Sequence, residues 1–263
     1  MDEKVWKVIH CIIAQRGLEI PAGMFNRLRG LEVPDGMYDG LYREALSNAF
    51  DGRHGDSDVL QSCLLRLLHT IACANPPISL RVASDLAHTA PTVAEELVRR
   101  LPHVLYVDDT QSARFLHHSF TEFLFDRSLS GNYWCNQASR HYRLARDCLH
   151  VMNSTLRFNM AGFNSSFLLD DLCEPDFRQN IEDCISTTLA YACRSWSTHV
   201  GAGKVSLRMD SDVLEGLRTF LSLPALFWIE AMNLLGLSGD CTLMAERARD
   251  IVSQVRRRVS VEK

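Results

Sequence analysis

Between Val59 and Leu116 the apolar residues change their period, and that change restricts the fold more than any other feature of the chain. Val59, Leu60, Cys63, Leu64, Leu67, Leu68 and Ile71 fall on one face of a helix. Asn75-Pro76-Pro77 ends it, because proline offers no amide hydrogen and disfavours helix in the residue before it. Ser79 is placed to cap a short helix over Leu80–His88, and Pro91 opens a third helix over Val93–Leu101. The period then drops toward two. Val104–Val107 and Ala113–Leu116 flank the polar turn Asp108–Ser112 and read as a two-stranded hairpin. A further helix is expected over Ser119–Leu129, with Ser119 as its cap.

Helix, helix, helix, hairpin is the order of a winged helix. Upstream, Val5–Ile13 carries helical spacing, Gly23–Gly40 is rich in glycine and proline and reads as loop, and Met37–Phe50 forms an amphipathic helix. Asp51–Asp58 is a polar linker. From Ser130 onward only helices are expected: His141–Asn159, Phe177–Trp196, Ser211–Leu221, Ala225–Leu235 and Leu243–Arg258. Their breaks fall at Gly131, Gly162–Pro175, Gly201–Gly203, Pro224 and Gly236–Gly239. The expected fold is mainly α with a small β-hairpin. The domains are a helical lead-in and linker over 1–56, a winged helix over 57–129 and a helical domain over 130–263.

Composition narrows the function classes. The 263 residues are 46% hydrophobic and 23% charged, enough to build one or two cores and too apolar for a disordered chain. A net charge of −4 gives no overall attraction to nucleic acid or anionic lipid. The longest apolar run, Pro224–Leu237, is interrupted by Glu230 and Asn233 and is too short to span a bilayer. The N-terminus carries Asp2 and Glu3 and lacks a signal-peptide pattern. Nine scattered cysteines without a CxxC pair fit a reduced, cytoplasmic protein better than a disulfide framework or a zinc site.

Phe115-Leu116-His117-His118-Ser119-Phe120-Thr121-Glu122-Phe123-Leu124 is the most informative stretch. It resembles the end of the winged-helix domain in NACHT-type STAND ATPases. Leu41-Tyr42-Arg43 through Phe50, Pro77-Ile78-Ser79, the His141–Asn159 helix and Leu189–Cys193 with Trp196 and His199 are similar to flanking regions of mushroom-type members. The resemblance covers roughly Leu41–Val200. It implies a regulatory switch in which the winged helix locks a nucleotide in place and the helical region relays the signal. It also implies one nucleotide contact: His117, at the position that touches the β-phosphate of ADP. The imidazole is expected to face an open cleft between the third helix and the lead-in helix.

The chemistry such an ATPase needs is missing from this sequence. Gly201-Ala202-Gly203-Lys204 approaches the P-loop pattern, yet Val205 stands where the magnesium-binding hydroxyl belongs and Thr198 where the first glycine belongs. A glycine turn between two helices is the better reading. ADP or ATP is therefore expected only where a NACHT domain is supplied, and the chain reads as the part downstream of one. A hydrolase site from Ser119, His117 or His118 and Glu122 is set aside, because on one helix these groups point in different directions. No metal-ligand spacing joins His117, His141 or His150 to a cysteine.

The alternative from another class is a winged-helix DNA-binding transcription regulator. Over Ser79–Leu124, Arg81, Arg99, Arg100 and Arg114 stand against Asp85, Glu95, Glu96, Asp108, Asp109 and Glu122, a net −2. Phosphate neutralisation supplies most DNA affinity, so an acidic wing and recognition helix oppose it. The expectation is a non-catalytic regulatory chain with protein partners, no catalytic residue, no metal, no small-molecule substrate, and neither nucleic acid nor membrane as a partner.

Overall fold

A computed structural model describes residues 37–50, 57–162, 181, 183–203 and 212–261. The expected Val5–Ile13 helix, nearly all of the Asp51–Asp58 linker, and Lys204 lie outside them. The described chain is mainly α-helical with one small antiparallel hairpin. Its contacts divide it into two compact units, Met1–Asn136 and Gln137–Lys263.

In the first unit α1 (Met37–Phe50) precedes α2 (Asp58–Cys73), α3 (Leu80–Ala87) and α4 (Pro91–Arg100). The helix expected from Met37 begins there, so the predicted loop stops short of Gly40. Ser57 and Ser79 each accept an amide hydrogen bond from the first turn of the helix that follows, satisfying donors that a helix start leaves over. Strand β1 (Leu105–Val107) pairs with β2 (Ala113–Phe115) in the register Leu105–Phe115, Tyr106–Arg114 and Val107–Ala113. Ser79 bridges Ser112, and the Ala113 amide donates to the Ile78 carbonyl at 2.8 Å. The segment between α2 and α3 thus meets the hairpin edge through a single antiparallel bridge. Leu64, Leu67, Leu68, Leu86, Leu97, Leu101 and Leu105 are fully buried and form the centre of the unit.

The helix expected over Ser119–Leu129 is two helices. Helix α5 (Ser119–Phe125) ends at Asp126, which turns to extended backbone and caps α6 (Arg127–Ser130) through the Ser128 amide. A single 3₁₀ turn, Gly131–Tyr133, follows. Helix α1 lies on this end of the unit: Tyr42 packs edge-on against Phe120 at 5.0 Å, and Arg43 donates to the Leu129 carbonyl at 2.7 Å.

The second unit holds α7 (Gln137–Thr155), α8 (Thr187–Ala202), α9 (Asp212–Ser222), α10 (Pro224–Leu234) and α11 (Cys241–Val261), with a 3₁₀ turn at Ser238–Asp240. Helices α7 and α8 form its principal pair, α9 packs on α7 and α11 on α8. The helix expected over Phe177–Trp196 is interrupted: residues 181, 183 and 184 are helical, a bend follows at Ile185, and Ser186 caps α8 by accepting from the Leu189 amide, after which α8 runs on to Ala202. Residues 177–180 and 182 lie outside the described chain. Trp196, Phe220 and Trp228 meet with ring centroids 5.1–5.8 Å apart, and the Trp228 indole donates to the Cys193 carbonyl at 3.0 Å. Glu230 of α10 accepts from the Asn159 and Met160 amides at 3.1 and 2.8 Å. The turn after α7 is held by that carboxylate.

Candidate functional site

His117 follows β2 and stands two residues before α5's first residue. Its Nδ1 accepts the Ser119 amide hydrogen at 3.2 Å and lies 2.7 Å from the Ser119 hydroxyl. The cap position belongs to His118, whose side chain makes no cap bond. The cap expected of Ser119 is therefore made by the His117 ring, because Ser119 is already the first helical residue. Tyr42 of α1 brings its hydroxyl to the Ser119 hydroxyl at 2.8 Å. Burial holds the Tyr42 phenol above its ordinary value, against the hydrogen bond with Ser119, so Tyr42 keeps its proton.

These contacts fix a direction. Tyr42 donates to Ser119, and Ser119 donates to His117 Nδ1, which is the acceptor for both the hydroxyl and the amide. The neutral imidazole then carries its proton on Nε2, making that nitrogen a donor. One face of the half-buried ring stacks on Tyr38 at 5.8 Å and 16° between planes. His118 is exposed and lies 4.4 Å away, centroid to centroid.

The sequence did not foresee this arrangement in full. Ser119 and His117 were expected to point apart, yet they bond across one turn; the reason is that His117 precedes the helix and folds back over its first amide. The contact does not make an activated nucleophile. Ser119 is shared with Tyr42, and Nδ1 is also engaged by the backbone amide, whereas a serine nucleophile needs a base with an unshared lone pair and an orienting acid behind it. Glu122 is exposed, and the hydrogen bonds of the Tyr42–Ser119–His117 chain do not pass through it. Tyr38 and Tyr42 were missed as partners. Their spacing on α1, one turn apart and facing the aromatic Phe115–Phe123 run, was the available signal.

A cleft does form between α1 and the end of α4, lined by Leu41, Glu44, Asn48, Arg100, His103 and Val104 among others. The imidazole of His117, expected to face such a cleft, does not line this one; its ring stacks on Tyr38 of α1. Burial lowers the pKa of His103 at the cleft.

The face of α4 and the hairpin tip bear on nucleic acid. Arg99 and Arg100 both bind Glu96, at 2.5 Å each, and these bonds hold the Glu96 carboxyl below its usual range. Arg100 turns inward as well, with 4% of its side chain exposed and a bond to the Ala49 carbonyl at 3.1 Å. Asp108 at the tip accepts from the Thr110 hydroxyl, Arg114 and the Ser112 amide, which holds it well below the ordinary carboxylate range. Asp108 therefore stays ionised in an ion pair with Arg114, and α4's two arginines are engaged by Glu96.

A second polar chain lies inside the other unit. His199 is fully buried; its Nδ1 is 2.9 Å from His141 Nδ1 and its Nε2 is 2.8 Å from the Tyr191 hydroxyl. Burial, then the nearby His141 and Arg140, push the His199 pKa down to about 3. Its ring is neutral at ordinary pH. Among the described residues no group of three or more histidines, cysteines or acids could hold a metal ion, and no helix is long and apolar enough to cross a membrane.

Gly203 settles the local role of the glycine turn after α8. A Cβ there would sit 2.6 Å from the Tyr142 backbone nitrogen and 2.8 Å from its Cα. Glycine is required because two backbones touch, which needs no phosphate to explain it.

Compared with known proteins, the chain matches no protein-family model, no curated protein and no solved structure. What the fold defines is a mainly α-helical protein of two compact units with a small β-hairpin in the first.

Proposed function

We propose that the chain is a non-catalytic regulatory and protein-interaction piece of a NACHT-type STAND signalling protein, built on a winged helix and working in a reduced, cytoplasmic setting. The observation that carries the reading is His117: a half-buried ring, fixed in one tautomer at the close of the hairpin, with Nε2 as the donor. Such a donor suits a phosphate oxygen brought by another domain, and its fixed orientation means little entropy is lost on contact. The bridge of Ile78 and Ser79 to Ser112 and Ala113 supports the winged-helix part of the reading, since it ties the link between the first two helices to the hairpin. A DNA-binding role is disfavoured because Arg99 and Arg100 of α4 and Arg114 of the hairpin are already engaged by carboxylates.

The test joins the chain to the NACHT nucleotide-binding domain of a mushroom-type protein. The chain alone should release no phosphate from ATP. The joined protein should retain ADP, and His117→Ala should weaken that retention at least about tenfold, a loss of about 1.4 kcal/mol. His118→Ala should leave it unchanged. Denaturant melts should show His117→Ala costing under about 1 kcal/mol, as expected of a half-exposed position whose partners water can reach. Turnover by the chain alone, or equal retention in both variants, overturns the reading.

A further inference from the structure

Cys73 and Cys135 lie far apart in sequence and meet inside the first unit. Their Sγ atoms are 3.8 Å apart, and the residues are 4% and 1% exposed. Neither is in a disulfide. Each sits at a stop. Cys73 is the last residue of α2, followed by the exposed Asn75-Pro76-Pro77. Cys135 follows the 3₁₀ turn at the end of the unit and donates its amide to the Leu124 carbonyl at 2.8 Å. The same two segments are tied once more, where His69 of α2 meets the Tyr133 carbonyl at 2.9 Å. Van der Waals contact between two sulfurs leaves less than about 2 Å to close before a bond of ordinary length forms.

We propose that Cys73 and Cys135 form a reversible redox pair: a hydroperoxide converts them to a disulfide that staples the end of α2 to the last segment of the first unit. The Cys73 sulfur attacks one oxygen of hydrogen peroxide, the O–O bond breaks, and the departing hydroxide takes the thiol proton and leaves as water. Cys73 is then a sulfenic acid. The Cys135 sulfur attacks the Cys73 sulfur, the S–O bond breaks, and the second hydroxide leaves as water with the Cys135 proton. Two thiols lose two electrons in all, and the peroxide accepts them. Cys73 is the entry point because a helix end opens at less cost than a helix interior, and peroxide is small enough to use a one-residue opening.

Trypsin offers a direct readout. It cuts after Arg66, Arg81, Arg127 and Arg140, giving peptides 67–81 and 128–140 with one cysteine each. The intact chain is treated with hydrogen peroxide, blocked with N-ethylmaleimide in denaturant, and digested without reductant. The expected product is peptide 67–81 linked to 128–140, lost on dithiothreitol treatment and accompanied by a higher melting temperature of the oxidised chain. Cys135→Ser should abolish the link and leave a Cys73 sulfenic acid that dimedone traps. If that variant does not fold, the wild-type peptide map decides alone. Recovery of both peptides singly and alkylated while other cysteines are oxidised overturns the proposal. So does a linked pair of other composition in greater yield.

Discussion

Two imidazole nitrogens 2.9 Å apart, His141 Nδ1 and His199 Nδ1, allow one donor between them, and His199 has Tyr191 at its other nitrogen. Charging His199 would place a cation in a fully buried position beside Arg140, which is itself buried. The folded protein therefore holds His199 neutral down to about pH 3, whereas the unfolded chain protonates near the ordinary 6.5. Between those values the unfolded state binds more protons, so stability rises with pH there. The contribution is complete above about pH 6.5 and is lost as pH falls toward 3, by up to roughly 1.4 kcal/mol per pH unit. Urea unfolding at pH 7, 6 and 5 should show this decline. His199→Gln should start less stable and flatten the slope; an unchanged slope would remove His199 as its cause. The sequence signal for His199 was its place one turn after Trp196 on a helix rich in apolar residues, and its burial follows from α8 being covered on most sides.

Along α4, neighbouring arginines do different work. Arg99 is largely exposed and, among the described residues, pairs with Glu96 of its own helix, which is worth little in water. Arg100 reaches out of α4 to the end of α1 and is shielded while it does so. Arg100→Ala should cost about 1–3 kcal/mol, because the Ala49 carbonyl and Glu96 lose a partly buried charged partner. Arg99→Ala should stay within about 0.5 kcal/mol. Thermal or denaturant melts of the two single variants check the asymmetry, and equal losses would contradict it. Helix identity was legible wherever the apolar period was long, as in α2, α7 and α11. Boundaries were legible where a side chain caps, as at Ser79, and misread where a tertiary partner decides. Asp126 splits one expected helix because its carboxylate prefers the Ser128 amide, a choice that spacing alone does not reveal. The α1–α5 contact and the His117–Ser119–Tyr42 chain needed three dimensions, since Tyr42 and Ser119 are joined only by folding.

Taken whole, the molecule is two units with separate cores: a leucine centre in the first and the Trp196, Phe220, Trp228 cluster in the second. Residues 137–263, expressed alone, should give a helical spectrum and a cooperative thermal transition, because their buried tryptophans and the α7–α8 pair lie within that span. A non-cooperative melt of that fragment would show that its core is incomplete. The glycine turn after α8 carries one more consequence, for descent rather than for folding. Gly201 and Gly203 look like matched members of a motif, yet a methyl at 201 would meet only the side chains of Ile251 and Arg247 at 3.7 and 3.8 Å, whereas one at 203 would strike the Tyr142 backbone. Lineages carrying this fold should let alanine drift into the first position and keep the second invariant. A column of unchanging glycine there would record two helices touching, and would mislead anyone who took it for the vestige of a phosphate loop.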